Sequence, residues 1–192
     1  MTELIYVDTD IIIDYILNMS EIYHRSIDRI DGVHKYFFSK DISEHAQNTA
    51  VGEQSEHIAV YGWWSHADFD RTGTLNEPFG LYTAKFFDMI FFKDYKIIIS
   101  NKTIEELLGY FKNPDKFNAF IGFLKAKRKL IIVKYTEEDL SEAQKLDPMN
   151  HNDALHTILA YKCNSSSIIT KNIKDFKKYS DFIRIELPEQ FC

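Results

Sequence analysis

The sequence predicts a three-layer α/β/α domain around a central, mainly parallel sheet of four to five strands. Short runs rich in β-branched residues recur along the chain, and segments with apolar residues at helical spacing separate them. That alternation is the pattern of βαβ units and of a buried parallel sheet. With 192 residues, 45% of them hydrophobic, the chain has material for one substantial core, so a single domain over 1–192 is expected.

In chain order, "LIYV" at Leu4 reads as the first strand, with a helix starting near Asp10. Further strands are read from "KIIIS" at Lys96, "KLIIVKY" at Lys129, "SSIIT" at Ser166 and "FIRIEL" at Phe182. Helical spacing appears in "TIEELLGYF", where Ile104, Leu107 and Leu108 make the expected buried face. It recurs in "DKFNAFIGFLKAKRK", "EEDLSEAQKL" and "HNDALHTILAYK". Residues from about 40 to 80 break the pattern and read as an insertion or lid between the first two strands, with helical stretches Glu21 to Phe38 and Leu81 to Phe92 leading out and back. Inside it, "DFDRTGTLN" from Asp68 imitates the start of a calcium loop, but Phe79 stands where the twelfth-position Glu is needed. Trp63 and Trp64 read as packing residues, with stacking on bases or a partner as the functional alternative.

Composition narrows the classes. The apolar runs "IIID" and "FFDMIFF" are broken by aspartates well short of the roughly 20 residues that span a bilayer. The first residues show no basic segment leading into an apolar signal core, so a soluble, cytoplasmic protein without membrane partners is expected. Cys163 and Cys192 suit neither a disulfide framework nor a thiolate metal site. A net charge of −6 argues against field-driven nucleic-acid binding, so a nucleic-acid substrate requires metal ions or local lysines against its phosphates.

The chemistry-bearing residues gather at strand ends, where open parallel sheets bind ligands. Asp8 ends the first strand, Ser100 the second and Thr170 the fourth. Each is followed by a helix start bearing acids or amides: Asp10, then Glu105 and Glu106, then Asn172 and Asp175. Asp153 opens "NDALHTILAYK", with Thr157 one turn later on the same face. Carboxylates brought to about 4 Å repel by about 4 kcal/mol per pair at an effective dielectric near 20. A divalent cation relieves that repulsion, and an all-oxygen ligand set favours Mg²⁺ or Mn²⁺ over Zn²⁺.

On "IYVDTDIIIDYIL", "ISNKTIEELLGY" and "NDALHTILAYKCNSSSIITKNIKDF" with "FIRIEL", the chain resembles the PIN-domain nucleases, in particular the VapC-type ribonuclease toxins. The resemblance covers residues 4 to 20 and 96 to 187 and leaves the middle unmatched; its most specific block is the last. It implies that Asp8, Glu106, Asp153 and Asp175 are the family's four metal-holding acids, with Thr170 and Asn172 as auxiliary polar positions. It implies metal-dependent cleavage of RNA, a small antitoxin partner and a homodimer. The family usually has Asn where this chain has Asp10, which leaves Asp10 between metal ligand and altered hydrogen-bond partner. Lys171, Lys174, Lys177 and Lys178 surround the last motif and are candidates to guide the RNA backbone. The run "KAKRK" from Lys125 is a second candidate, explained about as well by a solvated helix end.

Blander readings stand beside these. Asp8 is placed to cap the next helix, and Asp153 to answer a helix dipole. Asp14 and Asp147 read as surface acids or caps, Asp14 facing solvent. His151 and His156, five residues apart, lie on different helix faces and read as surface or half-buried histidines. "VDTDII" also resembles the Asp-x-Asp motif of haloacid dehalogenase-type phosphatases, with Asp8 as nucleophile, Asp10 as acid/base, Ser100 as strand-end hydroxyl and Lys125 or Lys127 neutralising charge. That family's late Gly-Asp or paired aspartates are missing from "IITKNIKDF". A PIN-like binding module without activity is the third alternative.

Overall fold

In the computed structural model, which describes residues 2–16 and 79–191, the central strands form where apolar side chains follow one another. Ile5, Tyr6 and Val7 in β1 (Glu3–Val7) and Ile97 and Ile99 in β2 (Tyr95–Ser100) have no exposed surface. β3 (Leu130–Val133), β4 (Ser167–Ile169) and β5 (Arg184–Glu186) complete a five-stranded sheet in the order β3-β2-β1-β4-β5. Every neighbouring pair is parallel. The three-layer α/β/α class and the strands expected from sequence are therefore present.

Helices fill the connections. A helix over 9–16, α1, and α2 (Phe79–Phe92) lie between β1 and β2. α3 (Asn101–Tyr110) and α4 (Asp115–Ala126) join β2 to β3, while α5 (Glu137–Leu146) and α6 (His151–Lys162) join β3 to β4. α7 (Ile173–Phe176) and a 3-10 turn, Lys177–Tyr179, lead to β5, and α8 (Pro188–Phe191) follows it. The chain steps from β1 to β3 in one direction and from β4 to β5 in the other. Right-handed crossovers then put α3 and α4 on one face of the sheet and α5 to α7 on the opposite face.

Register builds the core. Tyr6 stands opposite both Ile98 and Ile168, Ile98 opposite Ile131, and Ile168 opposite Ile185, so one row of side chains crosses the sheet on a single face. Ala143 of α5, Ala154, Leu155 and Leu159 of α6, and Phe176 of α7 pack onto that row. Each fully buried Ile or Leu contributes roughly 1.5–3 kcal/mol relative to exposure.

Local signals set the helix ends. Ser100 is both the last residue of β2 and the N-cap of α3: its Oγ accepts from Thr103 N–H at 3.1 Å, and Thr103 Oγ1 accepts from Ser100 N–H. Thr136 and Asp139 make the same reciprocal box at the start of α5. The turns that end α4 and α6 place Arg128 (φ 57°) and Asn164 (φ 53°) in the left-handed region. Asn tolerates that conformation, whereas Arg is strained by roughly 1 kcal/mol. In α3 the buried pair is Thr103 and Leu107; Leu108, expected inside, is 52% exposed, because the face that meets the core follows the four-residue spacing from Thr103.

The chain divides into two compact units, Met1–Ile13 with Met89–Cys192, and Asp14–Asp88. The sheet belongs to the first. In the second, Tyr15 and Phe87 are fully buried with ring centroids 4.5 Å apart. Asp14 is buried there and accepts from Thr83 Oγ1 at 2.6 Å. The solvent-facing expectation for Asp14 is thus corrected: the Thr83 hydroxyl satisfies a carboxylate that water was expected to hold. The helix expected from Leu81 to Phe92 is α2. The Glu21 to Phe38 stretch, Trp63, Trp64, the calcium-loop imitation and nearly all of the expected insertion lie outside the described residues. Among the described residues no helix is long and apolar enough to cross a membrane.

Candidate active site

The strand order reverses direction between β1 and β4, and that switch point is where open sheets of this kind open a crevice at their carboxyl edge. Asp8 and Thr170 lie immediately beyond the paired residues Val7 and Ile169. Thr170 Oγ1 donates to Asp8 Oδ2 at 2.7 Å, and Thr9 N–H donates to Asp8 Oδ1 at 2.7 Å. Both Asp8 oxygens are therefore held, and the side chain keeps only 8% of its surface exposed. Burial pushes the Asp8 carboxyl above its ordinary range, against the charge of His156 and the hydrogen bonds from Thr170 and Thr9.

Glu106 approaches from the second turn of α3. Its Oε2 accepts from Thr9 Oγ1 at 2.5 Å and faces His156 Nε2 at 3.3 Å, while Lys102 Nζ stands 3.9 Å from Oε1. Partial burial opposes its ionisation, but His156, Thr9 and Lys102 together take the carboxyl below the ordinary value. Glu105 turns away and accepts from the Tyr135 hydroxyl at 3.1 Å, so of the two neighbouring glutamates it is Glu106 that joins the site.

Asp153 stands in the first turn of α6, half-buried. Burial first, then the charges of Asp8 and Asp175, push its carboxyl up to about 6. Asp175 is held by Asn172, whose side-chain amide donates to Oδ2 at 2.9 Å; Asn172 N–H in turn donates to Thr170 Oγ1 at 2.9 Å. The expected acids Asp8, Glu106, Asp153 and Asp175 thus lie along one edge and act on one another in pairs, Asp153 with Asp8 and Asp175, and Asp8 with Glu106; Thr170 and Asn172 orient two of them. Asp10 takes a different part. Its Oδ2 accepts from Lys171 N–H at 2.9 Å, tying α1 to the loop that carries Thr170 and Asn172.

Several expectations are corrected. Ser100 is spent on capping α3 and is fully buried, so it does not offer a strand-end hydroxyl. Thr157, one turn after Asp153 on the same helix as expected, donates to the Asp153 backbone carbonyl at 2.9 Å. Lys178 pairs with Asp147, which also accepts from Tyr179 and from the backbone of Met149 and Asn150 as a cap. "KAKRK" leads into the first residue of β3, and Lys129 Nζ donates to the Lys93 carbonyl at 2.7 Å beside the start of β2. That run therefore lies at the amino edge, opposite the acids, which removes Lys125 and Lys127 as charge neutralisers here.

His156 is the largest correction. It is 2% exposed, and its ring links Tyr6 Oη, 2.8 Å from Nδ1, to Glu106. Burial alone lowers the pKa of an imidazole; the contacts with Tyr6, Glu106 and Asp8 outweigh it and raise that of His156 well above the ordinary value. Tyr6, Thr9, Lys102 and His156 were the site residues that sequence reasoning missed. The available signal was the three-residue step from Asp153 to His156, which puts both on one side of α6.

No protein-family model, no curated protein and no solved structure matches this chain. The chemistry therefore rests on the residues themselves. Among the described residues, no group of three or more His, Cys, Asp or Glu side chains is drawn together tightly enough to enclose a metal ion. Carboxylate oxygens are the donors that Mg²⁺ takes, usually one or two of them together with waters and substrate phosphate. The raised Asp153 carboxyl, facing Asp8 and Asp175, is the kind of repulsion that such a cation relieves.

Proposed function

We propose that this chain is a metal-dependent endoribonuclease that hydrolyses phosphodiester bonds in RNA, with Asp8, Glu106, Asp153 and Asp175 holding Mg²⁺ or Mn²⁺. The observation that supports the reading is the line of mutually interacting acids along the carboxyl edge beside the β1/β4 switch point, two of them held by Thr170 and Asn172. When bound, the cation supplies an activated water and a counter-charge for the phosphate in the transition state.

The chain's own residues do the positioning. Thr9 and Thr170 fix both oxygens of Asp8, so the carboxylate is oriented before any ligand arrives. Asn172 does the same for Asp175. Lys171 and the exposed Lys174 flank the edge and supply positive charge for the RNA backbone. Asp10, engaged with the Lys171 backbone, is a latch for that loop, which counts against its use as the acid/base of a phosphatase. A toxin role with a small antitoxin protein and a homodimer belong to the same proposal and rest on the family resemblance; a cytoplasmic location belongs to it too.

The deciding experiment is cleavage of labelled RNA in Mg²⁺, Mn²⁺ or EDTA, beside Asp8→Asn and Asp153→Asn. Cleavage that needs the metal and falls at least a hundredfold in both variants is expected, on the order of 3 kcal/mol of transition-state stabilisation. Metal-independent cleavage, or full activity in both folded variants, overturns the mechanism. That no group of three or more His, Cys, Asp or Glu among the described residues could hold a metal ion favours one alternative, a binding module without hydrolysis. RNA binding without cleavage in any metal establishes that instead.

A further inference from the structure

Opposite the acids, at the amino edge of the sheet, three separate parts of the chain bring cations together. Lys93 lies in the turn from α2 to β2, Lys127 and Arg128 in the turn that ends α4, and Lys129 just before β3. Contacts join them: Lys129 Nζ donates to the carbonyls of Lys93 at 2.7 Å and Tyr95 at 3.3 Å, and the rings of Phe91 and Phe123, 5.2 Å apart, tie the end of α2 to α4. Lys127 Nζ stands 5.6 Å from the centre of the Phe123 ring, and Phe92, next to Phe91, is 75% exposed. The acid of the first turn, Asp94, accepts from Thr2 Oγ1 at 3.0 Å. Among the described residues, no carboxylate lies within ion-pair distance of Lys93, Lys127, Arg128 or Lys129. A helix dipole accounts for Lys127, but not for Lys93 and Phe92, which come from another element. Arg128 stands in the left-handed region, where glycine is the unstrained choice.

We infer that the amino edge is a docking surface for single-stranded RNA, with Lys93, Lys127, Arg128 and Lys129 against its phosphates and Phe92 stacked on a base. In a chain of net charge −6, unpaired cations beside an exposed ring match a polyanion that carries flat bases; an acidic peptide would use the cations and leave the ring idle. The choice of RNA rests on the proposed function, but binding here requires no metal. The six residues of β2 separate this edge from the acids by roughly 20 Å. A strand held at the amino edge is therefore spared the repulsion between its phosphates and Asp8, Asp153 and Asp175.

Fluorescence anisotropy of the full chain with a labelled oligouridylate of about 16 nucleotides, in EDTA, tests it, with folding of each variant checked by circular dichroism. Lys93→Gln combined with Lys127→Gln is expected to weaken binding about tenfold and to flatten the dependence of log affinity on log salt by about 1.4, the share of two phosphate contacts on a single strand. Phe92→Ala is expected to weaken binding about tenfold with the salt slope unchanged. Lys134→Gln combined with Lys145→Gln removes the same charge beyond the carboxyl end of β3 and in the last turn of α5, and retains wild-type affinity. Equal losses in the two lysine pairs, or affinity untouched by the first pair, overturn the inference. A loss in the first pair with none in Phe92→Ala overturns it too, and displacement of the RNA by polyglutamate then assigns the edge to an acidic protein. A wild-type chain that cleaves RNA in Mg²⁺ but binds none in EDTA overturns only the inference, whereas neither binding nor cleavage overturns the RNA reading with it.

Discussion

Asp153→Asn should make the metal-free protein more stable at alkaline pH while removing its activity. In the folded chain the Asp153 carboxyl titrates near 6, against an ordinary value of 3.8 that the unfolded chain approaches. Between those values the folded state holds the extra proton. Asp153 therefore favours folding below pH 3.8, and that contribution is lost as pH rises through 6, leaving a full penalty at pH 8. The interval converts at 1.36 kcal/mol per pH unit to about 3 kcal/mol. Asp153 is only half-buried, and solvent screening reduces this to about 1.5 kcal/mol. For a chain of this length that is about 3–6 °C in melting temperature. Thermal melts in EDTA at pH 8 should show Asp153→Asn above wild type by that margin, with the gap closing toward pH 4. A gap that is independent of pH, or a variant less stable at pH 8, refutes the argument that Asp8 and Asp175 crowd this carboxylate.

Adding Mg²⁺ at about a hundred times its dissociation constant should stabilise the wild type by about 2.7 kcal/mol. EDTA should reverse the effect, and Asp8→Asn should show none in differential scanning calorimetry. Asp10→Ala removes the acceptor of the Lys171 N–H, loosening the loop that carries Thr170 and Asn172. It should cost about 1.5 kcal/mol in urea unfolding and about tenfold or more in RNA cleavage; Asp10→Asn, which keeps a carbonyl oxygen, should retain most of both. Arg128→Gly relieves a left-handed residue at the amino edge. It should gain about 0.5–1 kcal/mol in urea unfolding.

The sheet could be read from the chain because its strands are continuous apolar runs, and runs such as "KIII" admit few other interpretations in a domain of this size. The strand-end acids were legible for a related reason: the residue after a buried strand in an open parallel sheet emerges at the ligand-binding edge whatever its partners are. Burial of polar residues was not legible, since it depends on what arrives from far along the chain. His156 looks like a surface residue until Tyr6, 150 positions away, supplies its partner. Asp14 has the same history with Thr83, 69 positions away. Nothing local to Lys178 announces its pairing with Asp147, 31 positions earlier. Spacing within one helix reveals which residues share a face, but not which face finds a partner.

The central place of β1 has a consequence for the order of events during synthesis. Among the described strands β1 is made before the others, yet its second edge waits for β4, and the Asp8 to Thr170 hydrogen bond spans 162 positions. Closing so long a loop is entropically slow compared with forming any of the helices between. A nascent chain halted before β4 already carries Asp8, Glu106 and Asp153 but has neither Thr170 to orient the first nor Asp175 to complete the set. The Asp8 carboxylate therefore gains its Thr170 partner only when β4 docks beside β1.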